Sequence, residues 1–250
     1  MAVFHYGICD IGLKRKINQD SLFMYANREE DVNVFVVADG MGGHENGELA
    51  SKAITDGIRR WIDGFHEKQF DGNFYEMLNS LQDKIREINR FIFKEYNQSG
   101  VCGSTLVLLF IYQNMYAVIS AGDSRIYLNR GSQTKSMMVD DVWENQEELR
   151  KALTQKQIRN HPNCGKLINS IGTREVVSLS VKTDRLQDKD AFLLCSDGLY
   201  KYCPEKYYKK VLKSLNKDNL ADSALVLYDQ TYENGAKDNL SLILVKYYEN

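Results

Sequence analysis

The sequence has few of the features that divide a chain into separate parts. Its 250 residues include only two prolines, and it has no Ser/Gly-rich, low-complexity or repeated segment. A chain of this length can bury a sizeable core, and 43% of the residues are hydrophobic. We therefore expect one continuous globular domain without linkers.

An excess of charge of one sign is also missing. The 32 basic residues nearly balance the 34 acidic ones, which gives a formal net charge of −2. A chain without a basic field is not expected to bind nucleic acid or an anionic membrane surface. Any phosphate-binding site must then be built locally, by a few residues.

Cysteine pairs and long hydrophobic runs are absent as well. The five cysteines are an odd number and form no CxxC pair, which argues against both a disulfide framework and a cysteine zinc site. No apolar run approaches the roughly 20 residues that span a bilayer, and the first residues do not form a signal segment. The expected location is the cytoplasm.

Apolar and β-branched runs indicate a protein rich in strands. The residues Gln113 and Asn114 separate two such runs and suit a hairpin turn, so much of the strand pairing should be antiparallel. The predicted strands cover residues 21–27, 32–38, 105–112, 115–121, 125–129, 177–181, 191–195 and 241–247.

Helical periodicity is clear in two long segments and weaker in two others. Residues 45–65 place Leu49, Ile58 and Trp61 among others on one apolar stripe, and residues 74–96 form a similar stripe. Further helices are predicted at 144–159 and 219–232. Together the elements predict an α+β fold in which stacked antiparallel sheets carry helices on their outer faces.

Four aspartates stand at the ends of apolar strands, three of them beside glycine. They are Asp39 in VFVVADGMGG, Asp123 in ISAGDSRIYL, Asp197 in AFLLCSDGLY and Asp238 in KDNLSLILV. A single Asp-Gly is usually only a turn. Four carboxylates at strand ends can converge, however, and their joint burial requires compensating cations. A cluster of Mg²⁺ or Mn²⁺ with oxygen ligands is the expected solution.

The order of the motifs resembles one known family. The segments GLKRKINQDS, VVADGMGGHENGELAS, CGSTLVLLF, ISAGDSRIYL, FLLCSDGLY and DNLSLILV span residues 7 to 246 and resemble the type 2C metal-dependent Ser/Thr protein phosphatases, in their small bacterial form. The resemblance implies a single catalytic domain over residues 1–250 with a four-layer αββα sandwich of two antiparallel sheets flanked by helix pairs. It also implies a flap subdomain at about 140–170.

The resemblance also implies a metal centre. Asp39 would bridge two Mn²⁺ or Mg²⁺ ions, with the Gly40 carbonyl on one of them, and Asp197 and Asp238 would complete the second. Asp123 would bind a third, weaker ion, which Asp197 can share. Two such ions can activate a shared hydroxide for in-line attack on a phosphoserine or phosphothreonine phosphate, without a phosphoenzyme.

Other roles follow from the same comparison. Asp20 would orient metal-bound water, and Arg15 would hold the substrate phosphate. Gln19, beside the metals, replaces a glutamate that the family often has. Met41 replaces the histidine of many eukaryotic relatives, so His44 is the nearest candidate for protonating the leaving group; capping the following helix is an equally open role for His44.

The expected substrates are phosphorylated proteins, the expected partner is a cognate Ser/Thr kinase, and the expected state is a monomer. Two other functions stay open. A metal-poor pseudophosphatase could act as a binding module, although four retained aspartates argue against a pure scaffold. A phosphatase for small phosphate esters is the other alternative, and a cleft wide enough for a peptide would count against it.

Overall fold

The computed structural model describes residues 2–42, 46–64, 72–98 and 100–249. Eleven strands and seven α-helices occur in these residues. The strands are Ala2–Asp10 (β1), Asp20–Asn27 (β2), Val32–Gly42 (β3), Cys102–Ser104 (β4), Leu106–Tyr112 (β5), Met115–Ala121 (β6), Arg125–Arg130 (β7), Gln133–Ser136 (β8), Ser180–Arg185 (β9), Ala191–Cys195 (β10) and Leu240–Tyr248 (β11). The helices are Gly47–Asp63 (α1), Phe74–Tyr96 (α2), Glu147–Ala152 (α3), Gln155–Arg159 (α4), Asp197–Tyr200 (α5), Glu205–Ser214 (α6) and Leu220–Glu233 (α7).

The strands form two antiparallel sheets. One sheet has the order β1-β11-β10-β7-β8, and the other has the order β2-β3-β5-β6-β9 with β4 paired to β3. Successive side chains of a strand point to opposite faces. On β3 this alternation sends Phe35 and Val37 into the space between the sheets, and Val34 and Val36 toward the helices.

Three apolar clusters hold the layers together. One lies between the two sheets and includes Phe192 and Ile243. A second packs α1 and α2, through residues such as Trp61, on the sheet that contains β3. The third packs α6 and α7, through Leu212 and Leu227, on the sheet that contains β11. The four-layer αββα sandwich that the sequence predicted is therefore confirmed.

Most predicted elements are present, and α2 has the predicted bounds. Its N-cap Asn73 accepts hydrogen bonds from the amides of Tyr75 and Glu76, which fixes the first turn. Two predictions were wrong in detail. Leu49 is 42% exposed, so it does not belong to the buried stripe of α1. The strand predicted at 177–181 begins later, at Ser180.

The single helix predicted at 144–159 is also wrong. The segment contains a 3₁₀ turn at Trp143–Asn145 and the two short helices α3 and α4. Leu153 is extended, and Thr154 starts the second helix with a capping box that involves Gln157. A Thr-x-x-Gln sequence is a helix start signal, and here it interrupts an otherwise helical pattern.

The predicted flap, residues 140–170, is attached beside the β6–β7 turn. The Asp141 amide donates to the Gly122 carbonyl at 2.9 Å, and the Asp141 carboxylate accepts from the Gly122 amide at 3.1 Å. Trp143 stacks on His161 with ring centroids 3.9 Å apart. The assignment of residues 140–170 as a separate flap subdomain stays a prediction. In the described part of the chain, no helix has the length and apolar character of a membrane span.

Candidate active site and metal centre

A cleft of about 310 Å³ opens at the edge of the sandwich where the two sheets meet. Seven of the nine residues proposed from the sequence line it: Arg15, Gln19, Asp39, Gly40, Asp123, Asp197 and Asp238. Asp20 is buried and lies opposite Asp39 in the pairing of β2 with β3. His44 lies outside the residues that the structure describes.

The backbone of Asp39 is fixed by its neighbours. Its amide donates to Thr105 Oγ1 at 3.1 Å, and its carbonyl accepts from the Thr105 amide at 2.8 Å and from Ser104 Oγ at 3.0 Å. The next residue must be glycine, because a Cβ on Gly40 would lie 2.1 Å from the Gly47 carbonyl oxygen. This close approach brings the start of α1 against the end of β3.

Asp20 has one satisfied and one unsatisfied oxygen. Ser196 Oγ donates to Asp20 Oδ2 at 2.7 Å and accepts from the Ser241 amide at 3.0 Å. Oδ1 is buried and has no hydrogen-bond partner among the described residues. Burial is the main cause that raises the pKa of Asp20 to about 7.

The carboxylates of the cleft repel one another. Burial, followed by the charges of Asp20, Asp197, Asp123 and Asp238, raises the pKa of Asp39 well above its ordinary value. Burial and the charge of Asp197 raise the pKa of Asp123 to about 6. The carboxylates supply oxygen ligands, Asp20 Oδ1 is buried without a partner among the described residues, and the aspartates repel one another. These features fit hard divalent cations such as Mg²⁺ or Mn²⁺.

Two basic side chains hold two of these carboxylates. Arg15 Nε lies 2.7 Å from Asp238 Oδ1, and Arg15 Nη2 lies 2.8 Å from Asp238 Oδ2. Lys201 Nζ lies 2.5 Å from Asp197 Oδ2. Within the described ranges, no three acidic, histidine or cysteine side chains surround one point closely enough to bind an ion. In this arrangement Arg15 and Lys201 provide positive charge that compensates Asp238 and Asp197.

Lys201 was not among the site residues predicted from the sequence. Its burial works to lower its pKa, but the charges of Asp197, Asp123 and Asp39 raise the pKa above the ordinary value. The preceding Tyr200 donates its hydroxyl to Asp123 Oδ2 at 3.3 Å. A lysine four residues after an aspartate on a helical turn was the available signal.

Asn239 was also missed, although it directly follows Asp238. Its Oδ1 accepts from the Gln19 amide at 2.9 Å, and its Nδ2 donates to the carbonyls of Ile11 at 2.9 Å and Ile17 at 3.0 Å. Asn239 is buried. One side chain thus ties the loop that carries Arg15 and Gln19 to the start of β11.

Cys195 and the run from Gly103 to Thr105 lie near Asp197 and Asp39 in sequence or space, and both have structural surroundings. Cys195 is fully buried in β10, and burial raises the pKa of its thiol. The run from Gly103 to Thr105 packs on β3 beside Asp39. Neither group forms a nucleophile or a phosphate loop.

A β-sandwich of two sheets between helix pairs, with an aspartate-lined cleft at its edge, is the arrangement that the resemblance to metal-dependent phosphatases implies. The sequence model of the family "Protein phosphatase 2C" matches residues 14–244. The chain belongs to the protein phosphatase 2C family and is a metal-dependent Ser/Thr protein phosphatase.

Individual relatives agree with this assignment. The chain is 31% identical over 246 residues to the "Protein phosphatase PhpP" of Streptococcus pneumoniae, with 95% of each chain covered. It is 29% identical over 241 residues to the "Serine/threonine phosphatase stp" of Listeria innocua, covering 95% of this chain and 93% of that protein. The solved structure of the Ser/Thr phosphatase Stp1 from Staphylococcus aureus is similar with a TM-score of 0.83 and 26% identity, covering 100% of this chain and 96% of that chain.

Proposed function

We propose that this phosphatase hydrolyses phosphoserine and phosphothreonine in proteins that a cognate Ser/Thr kinase has phosphorylated. The supporting observation is the convergence of Asp39, Asp123, Asp197 and Asp238 with Arg15 in one open cleft. We further propose that the protein acts as a monomer in the cytoplasm. Both the location and the oligomeric state stay predictions from the sequence.

The proposed metal ligands are the Asp39, Asp197 and Asp238 carboxylates and the Gly40 carbonyl. When bound, a pair of Mn²⁺ or Mg²⁺ ions supplies Lewis-acid charge that activates water and neutralises the phosphoryl group. Gln19 lines the same cleft and is proposed to contact the water shell of the ions. Asp20, held by Ser196 through one oxygen, keeps the other free to orient a water molecule.

Arg15 is proposed to bind the substrate phosphate. Its guanidinium already makes a two-point contact with a carboxylate, the geometry that also suits phosphate. Its side chain is 49% exposed and belongs to a loop, so it can exchange Asp238 for an incoming phosphate. Release of Arg15 also frees Asp238 for a metal ion.

The predicted flap is proposed to border the bound substrate. Gly165 and Leu167 of this segment line the same cleft as the aspartates. His44 stays a candidate for donating a proton to the departing serine or threonine oxygen.

The function is tested with a phosphothreonine peptide, a phosphoserine peptide and small phosphate esters, each with Mn²⁺ and with a chelator. We expect metal-dependent release of phosphate from both peptides, with a higher kcat/KM than for the small esters. Turnover restricted to small esters would support the small-molecule alternative. Peptide binding without turnover at saturating Mn²⁺ would support a pseudophosphatase.

A further inference from the structure

Two consecutive residues, Tyr200 and Lys201, contact Asp123 and Asp197, and Lys201 also lines the cleft. Helix α5 begins at Asp197 and makes a single turn, so Lys201, four residues later, returns to the side of Asp197. Its ammonium lies 2.5 Å from Asp197 Oδ2, and the Tyr200 hydroxyl bonds Asp123 Oδ2. Both carboxylates that would hold a third metal ion therefore have a partner from the chain itself.

We propose that the Lys201 ammonium takes the place of a third metal ion in this phosphatase. The loaded cleft then contains two divalent ions and one covalently tethered monovalent cation. The inference rests on the proposed metal-dependent function, because it assumes that the ion pair binds at Asp39, Asp197 and Asp238.

The position of the ammonium excludes a further ion. A divalent cation such as Mg²⁺ contacts a carboxylate oxygen at about 2.0–2.1 Å, so it would approach Asp197 Oδ2 in the space where Lys201 Nζ lies. Two cations on one oxygen repel each other. The Tyr200 hydroxyl is a neutral donor and occupies one of the two Asp123 oxygens without adding charge.

The local tether distinguishes Lys201 from Arg15. Arg15 reaches Asp238 from a loop 223 residues away in sequence, and it can leave for a phosphate. Lys201 is attached one turn after its partner on α5, so its ammonium reaches Asp197 without any movement of a loop. The pair Lys209–Glu205 on α6 has the same four-residue spacing, with 2.7 Å between its charged atoms, but both side chains are exposed outside the cleft. It offers a matched control.

Equilibrium dialysis with Mn²⁺, using the full chain stripped of metal beforehand, tests the proposal directly. We expect two ions per chain for the wild type, three for Lys201→Met, and two for both Lys201→Arg and Lys209→Met. The double variant Lys201→Met with Asp123→Asn should return to two, because the new site loses a ligand. Circular dichroism checks folding, and Lys201→Gln provides a second neutral variant if the methionine variant is unstable.

Each outcome decides the question. Three ions in Lys201→Met that fall to two in the double variant would establish the ammonium as a substitute for metal. Two ions in both neutral variants would overturn it, and a raised KM for phosphopeptide would then assign Lys201 to phosphate binding instead. Three ions in the wild type would also overturn it. A wild type that binds no Mn²⁺ would remove the proposed metal-dependent function, and the inference with it.

Discussion

At the residue scale, Asp39 has the strongest expected effect on catalysis. Asp39→Asn should lower turnover of an aryl phosphate below about a tenth of wild type at saturating Mn²⁺, because one carboxylate serves both proposed ions. The same change removes a repelling charge, so the metal-free variant should melt at a higher temperature than the wild type. The exposed Asp83→Asn on α2 is the control. Retained turnover would contradict the bridging role.

Arg15 contacts a proposed metal ligand and is proposed to bind substrate. Arg15→Ala should raise KM for a phosphopeptide by roughly tenfold or more, since a charge-assisted hydrogen bond contributes about 1.5–3 kcal/mol, with a smaller change in kcat. It should also lower the Mn²⁺ concentration for half-maximal activation, because Asp238 loses a competing cation. Steady-state kinetics at several Mn²⁺ concentrations measure both. Arg86→Ala, an exposed arginine on α2, is the control, and an unchanged KM with a collapsed kcat would place Arg15 at the transition state.

Gln19 is a departure from a common family pattern, and its side chain lines the cleft. Gln19→Glu adds a negative charge near the ions and should tighten metal binding by roughly 10-fold or more, the usual effect of a group that contacts the water shell. The added charge should also raise KM by repelling the phosphate dianion. Activity titrations with Mn²⁺ at fixed pH give both values, with Gln113→Glu in the β5–β6 turn as control. Activation at the same or a higher metal concentration would show that Gln19 does not face the ions.

At the element scale, Asn239 joins β11 to the loop that carries Arg15. Asn239→Ala removes one accepted and two donated hydrogen bonds in a buried place, which should lower the free energy of unfolding by roughly 2–4 kcal/mol. KM should rise because Arg15 is less well positioned. Urea unfolding and kinetics of the same samples measure the two effects. Asn234→Ala, at the exposed end of α7, is the control. An unchanged KM would separate Asn239 from Arg15.

Elements with a regular apolar pattern were predictable, and those defined by local contacts were not. The stripe of α2 and the runs of β6 and β10 gave correct bounds, because period and burial agree there. The edge strand β8 has mostly exposed side chains and gave no pattern.

In the cleft, the aspartates could be predicted from strand ends beside glycine. The contacts of Lys201 and Asn239 depend on which chain segments meet, which a sequence without its fold does not specify.

At the scale of the whole molecule, the carboxylate cluster controls how stability depends on pH. Asp20 and Asp123 have a folded-state pKa of about 7 and about 6, both above the usual value of 3.8. The folded state then binds more protons than the unfolded state between about pH 4 and 7, so stability falls as pH rises through that window. His5, with a pKa lowered by burial, acts in the opposite direction. We expect the aspartates to dominate, because the pKa values of two carboxyl groups are raised by more than one unit, and each unit corresponds to about 1.4 kcal/mol of stability.

Thermal unfolding in a chelator from pH 5 to pH 8 measures this dependence. The melting temperature should decrease with pH, and saturating Mn²⁺ at pH 7.5 should restore it, since ligand binding to the folded state stabilises it. Asp39→Asn should show a flatter profile. A melting temperature that increases across the same range without metal would contradict the proposed repulsion.

The pairing of β1 with β11 places Ala2 opposite Tyr248 and Asp10 opposite Leu240. Contacts between residues so distant in sequence form slowly, because a long loop must close first. During synthesis, β1 therefore cannot pair with β11, and Arg15 cannot contact Asp238, until β11 has left the ribosome. Asp238 and Asn239, immediately before β11, arrive equally late. A nascent chain would thus have no assembled cleft, and phosphatase activity would begin only after the sheet closes.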